Sequence, residues 1–87
     1  MTHATLPRFW TAYNRLPEDV RRHADRKYAL LQADPSHPSL HLKRVGRTRG
    51  LWSVRVNDSY RALAAEDAQG LVWFWIGPHA EYDRILG

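Results

Sequence analysis

Three side chains near the end of this sequence have the types and spacing to move a proton. Trp73-Phe74-Trp75-Ile76 is an aromatic strand that stops at Gly77-Pro78, and His79-Ala80-Glu81-Tyr82-Asp83 opens a short helix behind it. His79 then stands at the positive end of a helix dipole, which disfavours a charged ring. Asp83, four residues on and on the same helical face, pushes the other way and holds the ring in one orientation. Tyr82 is the third neighbour. A histidine paired with a carboxylate beside a phenol suits general acid–base work near neutral pH. The competing reading gives His79 to the helix end and Tyr82 to the core.

Arginines are the second group. Arg55 lies on a strand that alternates Trp52, Val54 and Val56 with Ser53 and Arg55, so it points away from the apolar face. Arg61 is on the next strand. A guanidinium offers a planar fork matched to phosphate oxygens and stabilises charge that builds there. The alternative role for Arg61 is pairing with Glu66, Asp67 or the C-terminal acids. Lys43, Arg44, Arg47 and Arg49 form an edge and hairpin tip that suits salt-sensitive contact with a nucleic-acid backbone, or simply a solvated edge that blocks aggregation. Trp73 and Trp75 read as core rather than stacking platforms. His37 and His41 are four apart but straddle a proline-bounded loop with no third ligand, so no metal site and no cofactor is expected.

The elements that must position these groups follow from periodicity. Residues 7–15 form a short helix with Phe9, Tyr13 and Leu16 at helical spacing. Pro17-Glu18-Asp19 opens a second, with the stripe Val20, Ala24, Tyr28 and Leu31. Asp34 to Pro38 stops it. The period then changes to two, giving strands at 41–45, 51–57, 60–66 and 71–77, joined by turns at 46–50, 57–59 and 67–70, before a helix from Pro78 to Leu86. Such short connections force antiparallel neighbours. The expected architecture is α+β: one domain over residues 1–87, with an N-terminal helical hairpin packed on a mostly antiparallel meander sheet and a short C-terminal helix.

Bulk properties narrow the class. The chain has 87 residues, no cysteine, a formal charge of +4 and 44% hydrophobic residues. The core is thin at this length. No apolar run approaches the ~20 residues of a membrane span, and no signal-peptide core is present, so a cytoplasmic protein with no membrane partner is expected. Between His41 and Arg61 six cations face a single acid, Asp58, which favours an anionic partner.

Three segments carry a family resemblance: Leu16-Pro17-Glu18-Asp19-Val20, Ser53 through Leu63, and Trp75 through Arg84. Together with the order of elements they resemble the RelE/ParE superfamily of type II toxin–antitoxin toxins, with the look of the HigB- and YoeB-like branch. The resemblance implies a basic cleft on the sheet face away from the helical hairpin. It implies a metal-independent mRNA interferase, an endoribonuclease in which a 2′-hydroxyl attacks the adjacent phosphate of mRNA, in many members on the ribosome. It also implies a cognate antitoxin protein as partner. Carried over residue by residue, Arg61 matches the phosphate-stabilising arginine, His79 the C-terminal acid or base, and Tyr82 the aromatic that orients substrate. Lys43, Arg44 and Arg55 become substrate contacts, and Glu66 or Asp83 a base or orienting carboxylate. Two alternatives stay open: a ParE-like inhibitor of DNA gyrase, and a non-catalytic basic domain that binds RNA or a protein partner.

Overall fold

The computed structural model describes residues 2–47 and 49–87. Strand β1 (Thr2–Thr5) leads into helix α1 (Pro7–Asn14) and helix α2 (Glu18–Ala33). A single 3₁₀ turn at Pro38–Leu40 precedes β2 (Lys43–Arg44), β3 (Leu51–Arg55), β4 (Tyr60–Glu66), β5 (Gly70–Pro78) and helix α3 (His79–Leu86). The five strands form one sheet in the order β1-β5-β4-β3-β2. All pairs are antiparallel except β1 on β5, which is parallel.

The helices begin where the sequence says they should. Pro7 occupies the first turn of α1, and Pro17 precedes α2 with Glu18 and Asp19 at its positive end. Their inner sides meet the sheet face made by Val54, Val56, Ala62, Ala64, Trp73 and Ile76, with Leu16, Val20 and Leu31 closing the core. Tyr28, expected in the apolar stripe of α2, is 45% exposed. It sits instead at the mouth of a cavity of about 220 Å³ between the two helices and the sheet.

The opposite sheet face is covered by α3. Tyr82 is buried there, and its hydroxyl donates to Ser53 Oγ at 3.2 Å. Leu63 and Ser53 beneath it are almost fully excluded from solvent. The middle of the sheet face on which the resemblance places an open basic cleft is therefore covered by α3.

Two strands differ from expectation. The strand expected at 41–45 shrinks to Lys43–Arg44, because the 3₁₀ turn carries His41 into the left-handed region at φ 46°. The parallel β1 is marked by no periodicity, although the family resemblance implies a reduced strand over roughly residues 1–6; its Thr-His-Ala-Thr run is short, and its partner Gly70 is distant in sequence. The turn expected at 46–50 includes Thr48, which lies outside the described residues.

Candidate functional site

The turn between β3 and β4 organises the site. Asn57 Oδ1 accepts the Ser59 N–H at 2.8 Å, an Asx turn that folds the chain back on itself. Arg61 then reaches back over the turn. Its Nη1 donates to Asn57 O at 2.6 Å and to Tyr60 O at 2.9 Å, with Asp58 O at 3.5 Å. All three are carbonyls, so one nitrogen of the guanidinium clamps the turn. Nε and Nη2 make no hydrogen bond among the described residues. That leaves the planar edge of the fork open to a phosphate.

The same turn holds the start of α3. Ser59 O accepts the backbone N–H of His79 at 2.8 Å. In the ladder Arg61 lies across from Gly77, two residues before His79. Arg61 and His79 thus stand at the same end of the sheet. His79 Nδ1 lies 3.1 Å from Asp83 Oδ2, and its ring centroid is 5.4 Å from that of Tyr82. The helical spacing of four produces the His–Asp contact expected from the sequence. With Nδ1 held by the carboxylate, Nε2 is the nitrogen left to exchange a proton with a substrate. His79 is half-exposed, as such a role requires.

Two residues assigned to chemistry by sequence lie elsewhere, and a third is buried beneath the site. Glu66 is five residues along β4 from Arg61, about 17 Å at strand rise, and its Oε1 accepts from Trp52 Nε1 at 3.0 Å. It cannot act as base at the Arg61–His79 end. Arg44 goes with it: the guanidinium lies over the Trp52 ring and 3.5 Å from Glu66 Oε1. Tyr82 is buried with its hydroxyl engaged, so its phenol supports the site from below and presents no surface for a base to stack on.

The other two basic candidates remain at an accessible rim. Lys43 is exposed across from Ser53 and makes no ion pair among the described residues. Arg55 is the direct cross-strand partner of Arg61 and pairs with Asp58. Its side chain bends past the end of β2 and lines a pocket with α2 instead of joining His79.

Trp73 and Trp75 both read as core from the sequence. Trp73 is buried, but Trp75 is only half-buried. A β-carbon at Gly77 would meet Trp75 Cζ2 at 2.6 Å, so the indole lies flat along the strand over the glycine. That places an aromatic face beside the cross-strand partner of Arg61. The signal in the sequence is the Trp-x-Gly spacing, which puts the ring and the missing side chain on one face. Among the described residues no group of three His, Cys, Asp or Glu is arranged to hold a metal ion. No helix is long and apolar enough to cross a membrane.

The model of the ParE-like toxin domain matches residues 18–84. The chain belongs to this family. No curated protein sequence matches it. Among solved structures, the fold is similar to the RelB–RelE antitoxin–toxin complex from Methanococcus jannaschii, with 10% identity, a TM-score of 0.76 and coverage of 97% of this chain and 99% of that one. It is also similar to the DinJ–YafQ toxin–antitoxin complex from E. coli (12% identity, TM-score 0.73, coverage 92% and 93%). A YoeB/ParE toxin from Agrobacterium tumefaciens gives 16% identity and a TM-score of 0.66, with coverage of 91% and 99%. At these identities the likeness is one of fold, and it accounts for the five-stranded sheet with a helical pair on one face and a terminal helix on the other.

Proposed function

We propose that this ParE-like toxin domain is the toxin of a type II toxin–antitoxin pair and that it cleaves RNA at the Arg61–His79 end of the sheet. The observation that carries the reading is the free Nε–Nη2 edge of Arg61, held by the turn that also fixes the first residue of α3. A phosphodiester gripped by that edge has its negative charge neutralised as the 2′-oxygen attacks. The 2′-hydroxyl loses its proton, the new P–O2′ bond forms, and the P–O5′ bond breaks. The 5′-oxygen takes up a proton as it leaves, giving a 2′,3′-cyclic phosphate and a 5′-hydroxyl end. His79 Nε2 is the group placed to exchange one of these two protons. With Glu66 at the far end of the sheet, the other transfer falls to solvent. Trp75 offers the flat face on which a neighbouring base stacks, a contact that tolerates any sequence.

Two of the solved relatives are toxins seen with antitoxins. By the same reading an antitoxin encoded beside this chain covers the basic rim, and messenger RNA, on or off the ribosome, is the substrate. Induction in cells followed by primer extension tests it. New 5′ ends that disappear with Arg61→Lys or His79→Ala support the reading, and intact transcripts beside growth arrest sink it. The competing reading is a gyrase inhibitor that leaves transcripts whole and breaks DNA. In that case neither His79 nor its contact with Asp83 affects toxicity.

A further inference from the structure

Around the sheet edge from Arg61 lies a second concentration of positive charge that the chemistry above does not use. Arg26 and Lys27 on α2, Arg55 at the end of β3, and the side chains of His23 and Asn57 line a pocket of about 240 Å³. Asn57 Nδ2 and His23 Nδ1 are 3.0 Å apart, which ties α2 to the turn and fixes the pocket wall. Lys27 Nζ donates to Ser39 O at 3.1 Å, leaving two of its three hydrogens for another acceptor. Arg26 is exposed and has no acidic partner among the described residues. Among the described residues no carboxylate lines the pocket, and Asp58, which pairs with Arg55, has a side chain that is 89% exposed. So three cations line a pocket with no acid in its wall.

We propose that this pocket is a second phosphate site, which holds the backbone of the same single-stranded RNA one or more linkages away from the Arg61–His79 end. The inference rests on the ribonuclease reading for the identity of the strand, and on the pocket for its place. Arg55 and Arg61 are direct cross-strand partners in a pair whose Cα atoms stand about 4.5 Å apart. The two arginines therefore leave the sheet from neighbouring positions, Arg61 folded over the β3–β4 turn and Arg55 reaching the pocket against α2. A polyanion passing from Arg61 to Arg55 meets Lys27 and Arg26 next. The Arg26 guanidinium, unpaired among the described residues, and the two remaining Lys27 hydrogens, with Arg55 beside them, suit a phosphate. Lys27 is held below the ordinary lysine range by burial first and then by Arg55 and Arg26. A bound anion relieves that crowding.

The test uses a 12-nucleotide RNA with 2′-O-methyl groups throughout, which binds but offers no attacking hydroxyl. Its affinity is measured by fluorescence anisotropy across a KCl series for the parent, the Arg26→Gln/Lys27→Gln double variant, exposed Arg26→Gln alone, and Asp58→Asn. Thermal melts confirm that each is folded. Each lost phosphate contact lowers the slope of log K against log salt by about 0.7 for a single strand. The double variant is expected to lose about 1.4 in slope, by that rule, and on the order of tenfold or more in affinity at low salt. Arg26→Gln loses about half of the slope change, and Asp58→Asn, freed of its competing carboxylate, binds more tightly. Unchanged slope in folded variants, or no RNA binding by the parent, overturns the pocket. Loss of antitoxin binding with RNA binding intact also overturns it, and reassigns the pocket to an acidic protein segment. Failure of the ribonuclease reading looks different: the salt slopes behave as expected while primer extension finds no new ends.

Discussion

Arg61 carries two loads, and replacing it separates them. In Arg61→Ala the β3–β4 turn loses the Nη1 clamp on Asn57 O and Tyr60 O, at 2.6 and 2.9 Å, and the weak 3.5 Å contact to Asp58 O. Hydrogen bonds from charged donors contribute about 1.5–3 kcal/mol each, but water replaces part of that at a half-exposed turn, so the expected loss is about 2–3 kcal/mol in total. For a domain of this size 1 kcal/mol moves Tm by about 4–8 °C, which places the fall at roughly 8–24 °C. The loosened turn also weakens the bond from the His79 N–H to Ser59 O, so α3 frays at its first residue. Arg61→Lys keeps a cation able to donate to the same carbonyls and loses the fork. It is expected to recover most of the melting temperature and none of the RNA cleavage. Circular-dichroism melts beside primer extension read the two effects independently. An alanine variant that melts with the parent refutes the clamp, and a lysine variant that cleaves at the parental rate refutes the fork.

Other expectations follow from single contacts. Tyr82→Phe removes the hydroxyl that meets Ser53 Oγ and is expected to cost about 1 kcal/mol in a urea melt. Toxicity on induction is expected to persist, and a folded but harmless variant would return the phenol to the chemistry. Gly77→Ala drives a methyl into the Trp75 ring, with an expected cost of about 1–3 kcal/mol and a shifted tryptophan emission. An unshifted spectrum with parental stability rejects the flat indole. His3 accepts the Trp73 Nε1–H through Nδ1 at 3.1 Å, and burial lowers its pKa below the ordinary 6.5. The unfolded chain then takes the proton more readily, so the stability this group contributes is complete above pH 6.5 and is lost as pH falls through the depressed folded value. Melting temperature against pH is expected to fall more steeply below that point for the parent than for His3→Gln; parallel curves remove His3 from the acid response.

The fold was legible where the pattern was local. Pro17-Glu18-Asp19 marks the start of α2, and the Trp52/Val54/Val56 alternation identifies the face that meets the helices, because each rests on neighbours within one or two turns of chain. The His79–Asp83 contact was legible for the same reason, being a helical spacing of four. What failed depended on distance through space. Glu66 looks like a candidate base when strand length is ignored, yet five residues of extended chain put it at the wrong end of the sheet. Tyr82 looks like a substrate contact until α3 lies down on Ser53 and Leu63. Arg55 alternates away from the core as expected, but β2 ends before it, so its side chain rounds the edge and serves α2. The parallel β1 carries no signal because its partner is 68 residues away (Thr2 with Gly70).

The β3–β4 turn is where these strands of argument join. Asn57 spends its carbonyl oxygen on Arg61, its side-chain oxygen on Ser59 N–H, and its amide on His23. Ser59 in turn fixes His79, and Asp58 neutralises Arg55. Three consecutive small polar residues therefore set the positions of both arginines, the imidazole and the α2 wall of the second pocket. A loop is free to do this because its backbone groups are not consumed by the ladder. It follows that a partner need not cover the reacting groups to silence them. Displacing Asn57 releases the Arg61 clamp and the His23 contact together, and the two proposed phosphate contacts lose their alignment in one step.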